Sequence, residues 1–138
     1  MYYEKDLVSL ALLALALLAM GICAAEVPDL VGDWTGSEDA YNAENGSYKL
    51  LENSSVSLSI AEQKDRLFTG NVTYTLNGTE IVEALAGAIG LDDQTFYIAE
   101  SDKGYSVGKI ISDDEIEIIY LEDGESGWAA IEKLYRIK

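Results

Sequence analysis

The sequence contains no histidine, one cysteine, one proline, and nine basic residues against 25 acidic ones. Without imidazole, the commonest general base and the commonest nitrogen ligand for a metal are both missing. The lone thiol, Cys23, falls inside an apolar run, so the chain beyond it can form no internal disulfide and no thiolate nucleophile. Its core must therefore hold unaided. Pro28 precedes every segment with strand character and interrupts no ladder. The formal charge of −16 creates a field that repels nucleic acid and anionic lipid and favours solubility and cationic partners. No P-loop, nucleophile elbow, zinc spacing or EF-hand spacing is present. The expectation is a protein that is not an enzyme, with no cofactor, no metal site and no nucleic-acid partner.

What the sequence does contain begins with a long apolar run. Residues 7–25 read LVSLALLALALLAMGICAA, followed by the acidic EVPDL. Small residues at Cys23 and Ala25 suit a signal peptidase that cuts before Glu26, so residues 1–25 are expected to be a signal peptide. Lys5 is offset by Glu4 and Asp6, and the run approaches the roughly 20 residues that span a bilayer, so a retained signal-anchor helix is the alternative. Lipid attachment at Cys23 is disfavoured by Ile22, where lipobox sequences carry a small residue. The expected location is secreted or on the outer face of the cell membrane or envelope, with membrane contact only through residues 7–25 if uncleaved. Residues 26–138 then form one domain.

Beyond Glu26 the chain breaks into short β-rich runs set off by Gly, Asn and Asp about every ten residues, the pattern of an all-β domain. Strands are expected over 30–38, 47–61, 67–76, 80–89, 95–100, 105–112, 115–122 and 128–137. Asn45-Gly46, Asn77-Gly78, Asp92-Asp93, Lys103-Gly104, Asp113-Asp114 and Asp123-Gly124 supply residues that accept positive φ in tight hairpin turns, so consecutive strands should pair antiparallel. Val56, Leu58 and Ile60 alternate with Ser57 and Ser59, as half-buried strands do. The Ala-rich stretch 82–90 suits a helix as well, but Gly87 and Gly90 favour strand. An open meander would expose two edges, so the expected fold is a closed eight-stranded antiparallel up-and-down barrel, with a β-sandwich as the alternative.

Gly32-Asp33-Trp34 stands near the start of the first strand and Arg136 near the end of the last. This arrangement resembles the calycin group of small barrels, of the lipocalin and avidin type, in which a G-x-W plugs one end and, in lipocalins, a basic residue packs over the indole. The resemblance implies that Gly32, Trp34 and Arg136 are structural and that Trp34 and Arg136 meet at a closed end. LFTGNVTY from Leu67 is similar to an avidin strand, but only Trp34 and Trp128 are available where avidins use several Trp, so biotin binding is not implied.

Four Asn-x-Ser/Thr sequons, at Asn45, Asn53, Asn71 and Asn77, are candidate glycosylation sites on an exported chain. If Asn71 faces solvent, Phe68, Gly70, Val72 and Tyr74 face inward. The candidate ligand-lining residues are Trp34, Phe68, Val72, Tyr74, Ile116, Ile118 and Tyr120. Acidic pairs at Glu38-Asp39, Asp92-Asp93, Asp113-Asp114 and Glu122-Asp123 are read as solvated turns. Three functions follow: a binding or envelope-associated barrel for an unknown small ligand or surface protein, a solid-core structural or interaction protein at the cell surface, or an acidic inhibitor or chaperone of a basic partner. A connected cavity separates the first from the second.

Overall fold

The computed structural model describes residues 26–138, with side chains described for all of them except 51–55. The signal peptide or anchor expected over residues 1–25 lies outside the described residues, and among the described residues no helix is long and apolar enough to cross a membrane. Eight strands follow one another: β1 (Gly32–Asn42), β2 (Tyr48–Lys64), β3 (Leu67–Leu76), β4 (Thr79–Ile89), β5 (Thr95–Glu100), β6 (Tyr105–Ser112), β7 (Glu115–Glu122) and β8 (Trp128–Arg136). Each pairs antiparallel with the next, and β1 pairs with β8 from Trp34↔Arg136 to Asn42↔Trp128. That closure makes the sheet a barrel and overturns the sandwich alternative, because no strand edge is left from which a second sheet could separate.

The hairpins follow from their turn residues. Asn77 (φ 51°) and Gly78 (φ 79°) form a two-residue turn with both central residues left-handed, the geometry whose twist matches that of the flanking strands. Asp93, Gly46, Gly104 and Gly124 also take positive φ. Asp113 and Asp114 do not. There the register shifts between Ile110 and Ser112, so a bulge relieves the need for a left-handed pair. A positive φ appears instead at Asp65, in the turn between β2 and β3.

The first strand runs four residues past its expected end at Glu38, because pairing with both β2 and β8 continues to the end of the ladder. The Asn42 side chain then accepts the backbone N–H groups of Glu44 and Asn45, at 3.0 Å each, and turns the chain. Residues 79–89 form a strand throughout. Their alanines have helical propensity, but ten cross-strand pairs with β3 outweigh it.

Alternation sends Trp34, Val56, Leu58, Ile60, Phe68 and Leu134 into the barrel, each under one-tenth exposed. Asn71 is exposed, while Phe68, Gly70 and Val72 are buried and Tyr74 is half-buried. Phe68 and Phe96 meet edge to face, with centroids 6.1 Å apart. Each ring also lies over a glycine of the next strand, Phe68 over Gly87 and Phe96 over Gly108, where a Cβ would collide with it.

Candidate binding chamber

The two ends of the barrel differ. At the end where β1 begins and β8 ends, residues 27–31 cross the opening, with Leu30 buried and Val27 packed on the core. Trp34, 1% exposed, donates its indole N–H to the Leu30 carbonyl at 3.0 Å. The Arg136 guanidinium carbon lies 4.1 Å from the centre of the indole. Its Nε donates to Asp113 O at 2.9 Å, Nη2 to Asp29 O at 2.8 Å and Nη1 to Val31 O. Gln63 fixes the same segment from β2: its Oε1 accepts Leu30 N at 2.9 Å and its Nε2 donates to Pro28 O at 2.8 Å. This end is stoppered.

The other end is ringed by the turns after β1, β3, β5 and β7, and encloses a chamber of about 400 Å³. Its apolar base is formed by Val56 and Val72, while Ala40 and Ala130 line it nearer the mouth than Glu38 and Glu132. Its upper wall is acidic: six carboxyl groups, from Glu38, Glu83, Glu100, Asp102, Glu122 and Glu132, face two lysines, Lys49 and Lys103. Tyr74 donates its hydroxyl to Glu83 at 2.7 Å, and Tyr120 donates to Glu122 at 3.0 Å. Desolvation and those hydrogen bonds to carboxylates push both phenols up. Lys103 Nζ stands 3.9 Å from Glu122.

The unpaired carboxyls respond to burial and to one another. Burial, reinforced by Glu83 and Glu122, pushes Glu100 up to about 7, although a Ser106 hydroxyl bond at 3.4 Å opposes the shift. Glu132, 8% exposed and paired across the seam with Glu38, is pushed up to about 8 by burial first and then by Glu38 and Glu100. Burial also raises Glu38, with Lys49 pulling the other way.

The candidate lining residues thus divide. Val72, Tyr74 and Tyr120 line the chamber. Trp34, Phe68, Ile116 and Ile118 lie in the solid half beneath it. The acidic wall was not singled out in the sequence, although alternation carried its signal. Glu132 stands in phase between buried Ala130 and Leu134, Glu38 follows Trp34 and Gly36, Glu83 precedes Leu85, Glu100 follows Phe96 and Ile98, and Glu122 follows Ile116, Ile118 and Tyr120. Reading Glu38-Asp39 as a turn hid this, since Glu38 is mid-strand and half-buried while Asp39 is exposed. Among the described residues no group of three or more acidic side chains converges as a metal site would require. Of the sequons, Asn45 and Asn77 occupy exposed turns at the chamber end and Asn71 faces outward. The Asn53 side chain lies outside the described residues.

No protein-family model matches the chain, and a search of curated proteins finds no match. Solved structures do resemble it. A redesigned β-barrel superposes with a TM-score of 0.56 at 13% identity, covering 86% of this chain and 98% of its own. A dog lipocalin allergen superposes with a TM-score of 0.50 at 17% identity, covering 78% of this chain and 74% of its own. With a closed eight-strand meander, a G-x-W stopper and an arginine stacked upon it, the chain has the fold of a calycin-like small β-barrel.

Proposed function

We propose that the protein is an exported, non-enzymatic binding module that takes a small molecule through the open end of its barrel. The observation that carries this reading is the chamber. Its volume of about 400 Å³ falls within the range of small-molecule sites, and it rests on a packed half that keeps it from being a through-channel. An apolar base with polar groups above it is the usual composition of such a site. The absence of histidine, with the commonest general base, supports binding rather than catalysis.

The neutral fluorescent probe N-phenyl-1-naphthylamine tests the reading. It is expected to bind the folded protein with a blue-shifted, enhanced emission, and to be excluded by Ala130→Trp and by Ala40→Phe, which fill the chamber from β8 and β1. A folded wild-type protein that leaves the probe in water, or filled variants that bind it equally well, would sink the reading.

A second reading, a surface interaction module, draws on the outside of the barrel. Tyr97, Val107, Ile119 and Ile131 are consecutive cross-strand partners, and Tyr97, Ile119 and Ile131 are each more than two-fifths exposed. Under it, both filled variants retain the protein's native association while the probe does not bind.

A further inference from the structure

Of the six chamber carboxyls, Glu38, Asp102 and Glu132 have no hydrogen bond or ion pair among the described residues, and Glu132 is the most buried of them. Glu83 and Glu122 accept tyrosine hydroxyls, Glu122 also faces Lys103, and Glu100 accepts from Ser106. Glu132 is more deeply buried than any of these. Among the described residues, no hydrogen bond and no ion pair reaches its carboxyl, which lines the chamber. No fully enclosed side-chain oxygen among the described residues lacks a partner, so the Glu132 carboxyl opens onto the chamber, where other acidic side chains surround it.

The chemistry of a partner follows by exclusion. An anion would meet six carboxyls against two lysines. A divalent metal needs several converging oxygens, and the described acidic groups are spread around the wall. A neutral apolar molecule would suit the base around Val56 and Val72 but leave Glu132 as it is. An ammonium group answers the carboxylate with a charge-assisted hydrogen bond, while an apolar body fills the base. We propose that the chamber takes a small organic cation, an N–H-bearing ammonium on an apolar body, whose head donates to the Glu132 carboxylate.

This inference rests on the binding-module reading and narrows it. It also implies a proton exchange. The groups that face Glu132 are Glu38 on β1, Lys49 on β2, Tyr74 on β3, Glu83 on β4, Glu100 on β5, Tyr120 and Glu122 on β7, and Asp102 and Lys103 in the turn after β5. Five of these nine are carboxyls against two lysines, and in the empty chamber burial first, then Glu38 and Glu100, keep the proton on Glu132 at neutral pH. An arriving ammonium stabilises the carboxylate, and the proton leaves to solvent. Affinity for the cation therefore rises as pH rises through about 8.

Phenethylammonium, its neutral counterpart 2-phenylethanol and the anion phenylacetate, each displacing N-phenyl-1-naphthylamine at pH 6 and at pH 8, separate the outcomes. The amine is expected to compete at least about tenfold better than the alcohol at pH 8, to lose on the order of tenfold at pH 6, and to release close to one proton in calorimetry at pH 7. Glu132→Gln should erase both the preference and its pH dependence while the neutral probe still binds. Where the probe enters but the amine shows no advantage, no pH dependence, or an advantage untouched by Glu132→Gln, the cation inference fails and the binding module stands. If the probe is also excluded, both fail. Should Glu132→Gln not fold, the wild-type pH dependence and proton release decide alone.

Discussion

Trp34 and Arg136 show how much two residues can carry. The indole is almost wholly buried, and its N–H is matched to the Leu30 carbonyl, so Trp34→Ala empties a large site and orphans an acceptor. Urea unfolding should show a loss of about 3–5 kcal/mol. Arg136 does more than stack. Its guanidinium satisfies carbonyls of Asp29, Val31 and Asp113, so Arg136→Ala should lose about 1–3 kcal/mol, more than a solvated terminal charge would. With Trp34→Phe as the milder partner, the double mutant should depart from additivity by roughly 0.5 kcal/mol or more. Strict additivity would mean that the ring and the guanidinium, although 4.1 Å apart, do not couple. The motif itself was legible, since Gly32-Asp33-Trp34 and Arg136 are local sequence features. The three carbonyls were not, because the crossing of residues 27–31 brings those of Asp29 and Val31 beside that of Asp113 in the turn after β6, which no periodicity announces.

At the scale of elements, the β3 to β6 region depends on glycines matched to rings. A side chain in a strand ordinarily favours the ladder over glycine by up to about 1 kcal/mol. At Gly108 that gain is opposed by the Phe96 ring lying where a Cβ would be. Gly108→Val should therefore destabilise by about 1–3 kcal/mol, and adding Phe96→Leu should recover part of the loss. Unchanged or increased thermal stability in Gly108→Val would show that the ring moves aside freely. Most strand limits were legible because Asn-Gly, Asp-Gly and Lys-Gly pairs mark turns by their own conformational preferences. The limits of β1 were not, since they are set by partners at the far end of the chain in β8, Asn42 pairing with Trp128. Glu132 illustrates the same difficulty for the site: its inward phase is written in AAIEKLYR, but that its carboxyl stands among other acids, with no partner among the described residues, emerges only when eight strands close around it.

For the whole molecule, a carboxyl raised to about 8 in the fold and ordinary in the unfolded chain makes the folded state hold the extra proton. Its contribution to stability is fully present below about pH 4.5 and is lost as pH rises through 8, by an amount on the order of a few kcal/mol. Glu100, raised to about 7, acts in the same direction with less weight because it is partly exposed. Denaturant midpoints should fall from pH 5 to pH 8.5. Glu132→Gln should flatten that slope and exceed the wild type in stability at pH 8, whereas a slope that persists in full would trace to Glu100 and to the general repulsion of a chain carrying −16 charges.

The stopper also gives the barrel a front and a back. Glu26 lies beside Asp113, Asp114 and Arg136, and Lys138 Nζ reaches Asp114 at 3.0 Å, so both ends of the described chain leave from the sealed pole. A surface, a bead or a fused protein joined at either end therefore holds the molecule by its base, with the mouth turned toward the medium and free to fill.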